Sequence, residues 1–390
     1  MDVRKPIHYG KQHITTEDID SVVETLQSDF LTQGPKIVEF ETAFATYVGA
    51  KYAVAVANGT AALHLSTLAL GVNEKHKVIT TPITFAASAN CVRFCGGEVD
   101  FVDIAPDSYL LDLKKLEEKL EQVPKGTYTG IISVDFAGYP VNMEELRKIA
   151  NKYNLWIIED SCHAPGGYFI DSKGEKQFCG NGKFADLTVF SFHPVKHIAT
   201  GEGGMITTNS KELYDKLLLL RTHGITKNTD LLQENHGGWY YEMQELGYNY
   251  RLTDIQAALG VSQLKRADEG LKRRQKIAQR YDEAFQNRKE IIMPKVETNY
   301  FHAYHLYVIQ VEDRLGLYNY LKDSNIFTQV HYEPVHLQPY YRQFGNKCGD
   351  MPVAEEYYKH CLSLPMYPTL TAEEQDFVIK EVLEYYNKTK

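Results

Sequence analysis

Short β-rich runs alternate with amphipathic stretches between about residues 50 and 210. The stretches with helical periodicity are Thr60–Leu70, Phe85–Phe94 and Met143–Tyr153. The runs with strand character are Tyr52–Ala57, Lys77–Thr80, Glu98–Asp103, Gly130–Phe136, Leu155–Asp160, Leu187–Phe192 and Met205–Thr208. Strands that alternate with helices in this way predict an α/β fold with a mostly parallel central sheet.

A second, smaller unit is predicted in the last third of the chain. A helical pattern extends from Leu252 to about Phe285. It is followed by predicted strands and helices at Tyr304–Gln310, Arg314–Ser324, Phe327–Tyr332, Ala354–Cys361 and Ala372–Tyr386. We place the domain boundary inside one long connecting helix near residues 265–290. The prediction is therefore a large domain over residues 1–265 and a small C-terminal α/β domain over residues 266–390.

Composition excludes several classes of function. The chain has 390 residues and a formal net charge of −9 at pH 7, which argues against broad nucleic-acid binding. It contains no apolar run of signal-peptide or bilayer-spanning length, so we expect a cytoplasmic protein with no membrane partner. Cys91 and Cys95 lie one helical turn apart, but no second pair accompanies them. We interpret the six scattered cysteines as reduced packing residues and expect no metal site.

Polar residues follow several predicted strands at the same end. They are Asn58, Asp135, Asp160 and Ser191. Ligands of open parallel sheets bind beyond the carboxyl ends of the strands. We therefore expect the functional site at this edge of the sheet.

The segment Ser191–Gly204 places Lys196 between a predicted strand and a glycine-rich turn. A lysine that forms an imine must lose its proton readily, and partial desolvation or nearby positive charge promotes that loss. Lys196 is thus a candidate carrier of the aldehyde cofactor pyridoxal 5′-phosphate (PLP). The alternative at this point is an ordinary surface lysine in a loop.

Two further elements suit PLP. The turn containing Gly59 and Thr60 runs from a strand into a helix and presents backbone N–H groups and a hydroxyl to an anion such as the cofactor phosphate. Asp160 ends an apolar strand, where a carboxylate can keep the pyridine nitrogen protonated. Each has a simpler alternative, because a helix cap explains Gly59-Thr60 and a loop cap explains Asp160.

Phe85 and His163 complete the candidate cofactor contacts. Phe85 could cover one face of the pyridine ring, and His163 could contact the other side or the ring oxygen. In isolation, a phenylalanine is more typical of a core and a histidine of a structural hydrogen bond.

Ordered motifs along nearly the whole chain resemble the DegT/StrS family of PLP-dependent nucleotide-sugar aminotransferases. These motifs are Leu31–Pro35, Phe40-Glu41, Asn58–Leu63, Thr81–Phe85, Glu159-Asp160, Ser191–Lys196, Gly201–Gly204, Leu246–Ala258, Val330–His336 and Leu362–Pro365. The resemblance implies the PLP-dependent transferase fold type I, which is the fold of aspartate aminotransferase. It also implies cofactor contacts from Gly59, Thr60, Phe85, Asp160, His163, Ser191, Lys196 and Asn249.

The resemblance assigns roles to these residues. Lys196 would form the imine with PLP, and Asp160 would pair with the pyridine nitrogen. His163 stands where family members commonly carry glutamine. Asn249 matches a motif whose asparagine reaches the phosphate of the neighbouring subunit, so a homodimer with shared active sites is implied.

Within the family, Ser191–Lys196, Tyr248–Ala258 and His331–His336 resemble the C4 aminotransferases of pseudaminic acid biosynthesis. That subgroup implies transfer of an amino group from L-glutamate to C4 of a UDP-linked 4-keto-6-deoxy-N-acetylhexosamine. The expected substrate contacts are Thr32, Arg251, His331 and Tyr332. Arg251 could approach a diphosphate across the dimer interface, or it could simply pair with Asp254.

Other functions stay open at this point. A related transaminase could act on a different nucleotide-linked ketosugar, at C3 or on a dTDP sugar. A sugar 3-dehydratase carries histidine in place of the lysine, and His197 is adjacent, but Lys196 stands where that group has its histidine. A noncatalytic sensor with the same fold would not need Lys196, Asp160 and Asn249 together. No Gly-x-Gly-x-x-Gly follows a strand, so nicotinamide chemistry is not expected.

Overall fold

The computed structural model describes residues 5–388. The outer ends of the two predicted domains, residues 1–4 and 389–390, lie outside the described residues. The strands β1 to β17 are Ile7–His8, Tyr52–Val56, Lys77–Thr80, Glu98–Phe101, Gly130–Val134, Trp156–Asp160, Tyr168–Ile170, Lys176–Phe178, Leu187–Ser191, Gly204–Thr208, Ile225–Thr226, Glu242–Met243, Ile291–Ile292, Tyr300–Phe301, Tyr307–Val311, Ile326–Phe327 and Cys361–Leu364.

The helices surround the sheets in chain order. The helices α1 to α13 are Thr16–Leu26, Pro35–Val48, Gly59–Ala69, Ala87–Phe94, Leu113–Glu121, Met143–Tyr153, Lys211–Arg221, Asp254–Leu264, Ala267–Phe285, Arg314–Asp323, Pro339–Arg342, Pro352–His360 and Ala372–Lys388. Two short 3-10 helices lie at Phe136–Gly138 and Val335–Leu337.

The central sheet has seven strands in the order β2-β10-β9-β6-β5-β3-β4. Strand β10 is antiparallel to both of its neighbours, and the other pairs are parallel. The predicted α/β class with a mostly parallel sheet is confirmed. All five residues of β5 are buried, as expected of a strand covered by helices on both faces.

Strand register brings the predicted polar ends together. Asp160 is paired with Val134 of β5 on one side and with Val189 of β9 on the other. Asp135 therefore follows its strand beside Asp160, and Ser191 ends the next strand.

The C-terminal part contains a three-stranded antiparallel sheet in the order β13-β15-β17. Its buried core includes residues of α9, α10 and α13 and also Ile7 from the N-terminal strand. Ile7 belongs there because β1 pairs in parallel with β16. The division at residues 265 and 266 stays a prediction.

Three element predictions need correction. The expected connecting helix is interrupted at Arg266, where α8 ends and α9 begins, and Arg266 there forms an ion pair with the buried Asp18. The expected strand Phe327–Tyr332 is confined to Ile326–Phe327, and the residues after it form an extended loop toward the central sheet, where Val335 N–H donates to the Pro82 carbonyl. Cys361 does not end a helix but begins β17.

Candidate active site

A cavity of about 640 Å³ opens at the carboxyl edge of the central sheet. Nine of the twelve predicted contact residues line it, namely Gly59, Thr60, Phe85, Asp160, His163, Ser191, Lys196, His331 and Tyr332. Residues that the sequence did not single out also line it, among them Tyr9, Ser88, Cys162, Glu202, His305 and Gln329. The strand ends, the loop after β16 and the N-terminal segment thus meet around one space.

Lys196 enters this cavity from the turn after β9, where its backbone N–H donates to the His193 carbonyl at 2.8 Å. The side chain is half-buried, and its Nζ lies 3.5 Å from Nε2 of His305. Within residues 5–388 no carboxylate forms an ion pair with it. Burial lowers the pKa of Lys196 to about 8. About one amine in ten is therefore unprotonated at pH 7, and this is the form that attacks an aldehyde.

Asp160 ends β6 and presents its carboxylate to the same cavity. Its Oδ2 accepts from the Ser88 hydroxyl at 2.6 Å, and its Oδ1 accepts from the Cys162 N–H at 3.2 Å. One oxygen therefore does cap the following loop, as the simpler interpretation expected. Thr84 contacts the Ser88 hydroxyl at 2.7 Å and extends the network. The i, i+4 spacing of these two hydroxyls was the signal by which Ser88 could have been found.

The start of α3 forms a small polar cradle. The Asn58 side chain caps the helix by accepting from the Ala61 N–H at 2.8 Å. A Cβ at Gly59 would lie 3.0 Å from Cβ and 3.3 Å from Oγ of Ser191. Glycine at this position therefore lets the Ser191 hydroxyl and the helix N-terminus approach one another, which suits an anion held by both.

Aromatic side chains line the mouth of the cavity. Phe85 is 63% exposed and so is not a core residue, and its ring centroid lies 6.4 Å from that of Tyr332. His163 accepts from the Ala137 N–H at Nδ1, so we assign its proton to Nε2, which donates to the Tyr332 hydroxyl at 3.3 Å. Both His163 nitrogens are thus engaged, and the tautomer is fixed.

Four histidines near Lys196 are held neutral. Burial, reinforced by neighbouring positive charge, lowers the pKa of His163, His197 and His305 well below the usual value. Burial also lowers the pKa of His331 to about 3. At neutral pH these imidazoles therefore offer hydrogen bonds but no charge.

The donor set fits PLP. Lys196 offers an amine of lowered pKa, Asp160 a carboxylate, and the Gly59–Ser191 cradle an anion site that a larger residue than glycine would fill. These are the groups that an aldehyde, a pyridine nitrogen and a phosphate require.

Thr32, Asn249 and Arg251 do not line the cavity of their own chain. Thr32 and Asn249 are exposed and form backbone bridges with Thr253 and Thr222, respectively. The alternative pairing of Arg251 with Asp254 is not formed within the described residues. Asp254 instead accepts from backbone N–H groups at the start of α2.

The sequence matches the DegT/DnrJ/EryC1/StrS aminotransferase family over residues 12–383. The chain belongs to this family. The UDP-4-amino-4,6-dideoxy-N-acetyl-beta-L-altrosamine transaminase of Campylobacter jejuni is 39% identical to this aminotransferase over 390 residues, which is 98% of each chain.

Solved structures agree with the sequence match. PseC of Helicobacter pylori, an aminotransferase involved in the biosynthesis of pseudoaminic acid, has a TM-score of 0.87 at 32% identity and covers 98% of this chain and 100% of its own. The putative sugar aminotransferase Spr1654 of Streptococcus pneumoniae in its PLP-form has a TM-score of 0.89 at 29% identity. The match covers 99% of this chain and 100% of the Spr1654 chain. The same protein was solved in a PMP-form.

These findings confirm the sugar aminotransferase activity class, the PLP dependence and the type I fold. The name of the Campylobacter jejuni relative gives the sugar of that enzyme as UDP-linked. Within the part of the chain that the structure describes, no helix is long and apolar enough to cross a bilayer.

Proposed function

We propose that this aminotransferase moves an amino group from L-glutamate to C4 of a UDP-linked 4-keto-6-deoxy-N-acetylhexosamine, on the way to pseudaminic acid or a related surface sugar. The observation that carries the proposal is the single cavity lined by Lys196, Asp160 and the Gly59–Ser191 cradle. The Campylobacter jejuni and Helicobacter pylori relatives support the choice of sugar.

Each residue of the site has a proposed role in the reaction. PLP, when bound, supplies an electron-accepting ring that stabilises negative charge at the carbon beside the nitrogen. Lys196 would hold the cofactor and, when its amine is free, would act as the general base and acid for proton transfer. Asp160 would keep the pyridine nitrogen protonated, and Gly59, Thr60 and Ser191 would bind the phosphate. Phe85 and His163 would contact the ring.

His331 and Tyr332 line the cavity and are proposed to contact the sugar. Thr32 and Arg251 would contribute from the partner subunit, because neither lines the cavity of its own chain. Nε of Arg251 is buried without a hydrogen-bond partner within residues 5–388. That nitrogen is inaccessible from outside the chain, so only the remainder of the half-buried Arg251 guanidinium could approach a diphosphate.

The proposal includes a homodimer with shared sites, in which Asn249 reaches the phosphate of the neighbouring subunit. Helix α1 supports it because the helix buries Asp18 and leaves Ile19, Val23 and Leu26 exposed. Trp239 and Leu246, close to Asn249 in sequence, are 75% and 78% exposed. Ile19, Val23 and Leu26 share one face of α1, and an exposed apolar face of this kind is typical of an interface.

We also propose a cytoplasmic location. The six cysteines of the described chain are free thiols, which suits a reducing compartment.

The dehydratase alternative is disfavoured by the placement of His197. Its Nε2 donates to the Ala303 carbonyl at 2.9 Å, and it lines a separate cavity beside Lys11 and Arg266 rather than the main one. Lys196, not His197, therefore occupies the position from which a side chain can react in the main cavity.

The deciding experiment incubates the purified enzyme with L-glutamate and a panel of UDP- and dTDP-linked 3-ketosugars and 4-ketosugars. We expect a new amine at C4 of the UDP-linked 4-keto-6-deoxy-N-acetylhexosamine, located by NMR. The Lys196→Ala variant is the control, and it should produce none. Amination at C3, or preference for a dTDP sugar, would contradict the proposal in favour of the other ketosugar specificities.

A further inference from the structure

The four histidines near Lys196 differ in how their nitrogens are used. Those of His163 contact the Ala137 N–H and the Tyr332 hydroxyl. Nε2 of His197 donates to the Ala303 carbonyl, and Nδ1 of His331 contacts the Ser363 hydroxyl at 2.8 Å. His305 alone among them has its hydrogen-bond contact with Nζ of Lys196.

No protein group fixes the tautomer of His305. Its Nδ1 is buried and has no hydrogen-bond partner within residues 5–388. The tautomer of an imidazole is set by the bond that its other nitrogen makes, as the Ala137 N–H does for His163. His305 can therefore present either a lone pair or an N–H at Nε2 to the lysine.

The residue before His305 has a strained backbone conformation. Tyr304 has a φ of 47°, in the left-handed region that a bulky residue rarely adopts. The neighbouring Ala303 and Leu306 N–H groups donate to the carbonyls of Gly138 and Ala137 at 2.7 and 3.1 Å. Strain of this kind persists only where the surroundings over-determine it, and it is concentrated at functional sites.

Arg274 supplies a further restraint. Its buried guanidinium donates through Nη1 to the carbonyls of Tyr304, His305 and Met366 at 3.0, 3.2 and 2.9 Å. No carboxylate pairs with it among the described residues. A buried guanidinium without a carboxylate partner is costly, and here its three backbone contacts tie residues 304, 305 and 366 together.

We propose that His305 is a further catalytic residue, which hydrogen-bonds Nζ of Lys196 whenever that amine is free, and that Arg274 is its positioning residue. The inference rests on the proposed function, because only a lysine released and recaptured in each cycle needs such a partner. Nε2 accepts from Lys196 as an ammonium and donates to it as an amine. The 3.5 Å contact is long, but catalytic hydrogen bonds commonly tighten only when substrate is bound.

The proton stays on Lys196 because His305 is the far weaker base in this buried setting. Its effect on the lysine has a definite sign. Hydrogen bonds to charged groups are stronger than those between neutral groups, so His305 favours the ammonium form. The other ionisable groups that act on Lys196 are Asp160, Cys162, His163, His197, Arg274 and His331.

The test compares H305L with H305Q in the full-length, PLP-loaded enzyme. Reaction with L-glutamate alone is followed by stopped-flow absorbance. In H305L we expect the single-turnover rate constant to fall about 100-fold, with the half-saturating glutamate concentration changed less than about threefold. H305Q should stay within about tenfold of wild type, because its carboxamide retains a donor and an acceptor. H360L and H360Q, at a histidine outside the cavity, are the matched controls and should leave the rate unchanged.

A second readout does not depend on turnover. Acylation of Lys196 in the full-length chain without PLP is measured against pH by mass spectrometry. The midpoint should move to lower pH in H305L, because the ammonium loses an acceptor. Two results would overturn the proposal. One is a single-turnover rate constant of H305L within threefold of the wild-type value. The other is an unchanged midpoint of Lys196 acylation in H305L together with a rate constant of H305Q as low as that of H305L. If wild type does not react with glutamate, the donor assignment fails, and the Lys196 midpoint still decides the role of His305.

The positioning role of Arg274 is tested by R274K, which keeps the positive charge but loses the planar fork. We expect a loss of about tenfold that disappears in the H305L background, because Arg274 acts through His305. Additive losses in the double variant would overturn this part. Circular dichroism checks that each variant is folded.

Discussion

Lys196 differs from the surface lysines of this chain in its electrostatic surroundings. Lys152 and Lys183, for example, form ion pairs with carboxylates, which raise the pKa of both amines. Lys196 faces a cavity in which desolvation has the opposite effect. The same residue type thus serves as a solubilising charge at the surface and as a nucleophile in the pocket.

The first prediction concerns pH. Because the pKa of Lys196 lies at about 8, the reactive amine fraction should rise about tenfold per pH unit up to pH 8 and level off above it. Acylation of Lys196 in the chain without PLP, followed by mass spectrometry, checks this. The Asp215 carboxylate raises the pKa of Lys211, so acylation of Lys211 should still increase with pH at pH 9. Parallel profiles for the two lysines would contradict the account.

The second prediction concerns Asp160 and its hydroxyl donor. Asp160→Asn removes the charge that faces the pyridine nitrogen and should lower kcat roughly 100- to 1,000-fold. Ser88→Ala removes one hydrogen bond to that carboxylate and should lower kcat about two- to tenfold. Steady-state rates with saturating glutamate distinguish them. Equal losses in both variants would mean that orientation, not charge, is the main contribution of Asp160.

Residues at strand ends, such as Asp160 and Ser191, could be predicted from the fold pattern, and His331 and Tyr332 only from the family resemblance. Ser88, Tyr9 and His305 were missed. Asp160 and Lys196 follow apolar runs, so topology alone predicts their meeting. Tyr9 comes from the N-terminus, and His305 and Arg274 from beyond residue 265. Nothing in their local sequence distinguishes them from packing residues.

At the scale of elements, the 3-10 helix Phe136–Gly138 fixes the segment that carries His305. Gly138 has a φ of 101°, and a Cβ there would lie 2.9 Å from Tyr304 N and 3.0 Å from His305 N. The two segments can therefore approach only because the side chain is absent.

The third prediction is that Gly138→Ala destabilises the protein by about 2 to 5 kcal/mol, since a strained φ and a clash with backbone add. Chemical denaturation measures it. Gly126→Ala is the matched control because its φ is 89° with nothing within 4 Å of the added Cβ. It should cost only about 1 to 2 kcal/mol. Equal losses of unfolding free energy in the two variants would show that the close contact of residue 138 with residues 304 and 305 does not add to the destabilisation.

Predicted strands of the central sheet lie close to the observed ones because their apolar runs are continuous and bounded by turns. Helix α1 was not predicted, although Ile19, Val22, Val23 and Leu26 follow the i, i+3, i+4, i+7 spacing of a helix. The sequence alone could not show that Ile19, Val23 and Leu26 stay exposed while Asp18 is buried. The predicted strand Phe327–Tyr332 was wrong beyond Phe327. The residues after Phe327 instead form a loop that brings His331 and Tyr332 to the cavity.

At the scale of the whole molecule, the exposed position of Asn249 makes the dimer testable. The fourth prediction is that Lys196→Ala and Asn249→Asp, each nearly inactive alone, recover about one quarter of wild-type activity when refolded together in equal amounts. About half of the dimers are mixed, and one site in each then has both residues. Asn249→Asp is chosen because its carboxylate repels a phosphate.

The refolded mixture is assayed for transamination, with dimer formation checked by light scattering. No recovery from a mixture that contains mixed dimers would contradict shared sites. Recovery is not expected from mixing Lys196→Ala with Asp160→Asn, because both residues line one cavity.

Sugar specificity could not be predicted at this scale from the single chain. Thr32 and Arg251 act, in our proposal, only across an interface. In that proposal the substrate contacts come from two subunits, and the sequence of one chain does not show how they meet.

The pairing of β1 with β16 has a consequence for synthesis on the ribosome. Tyr9 lines the cavity, yet its neighbours Ile7 and His8 pair with residues 326 and 327, and its carbonyl accepts from the Met366 N–H at 2.9 Å. Residues 7–9 can therefore dock only after residues 326, 327 and 366 have been synthesised. A nascent chain should complete this wall of the cavity only after residue 366 has left the ribosome.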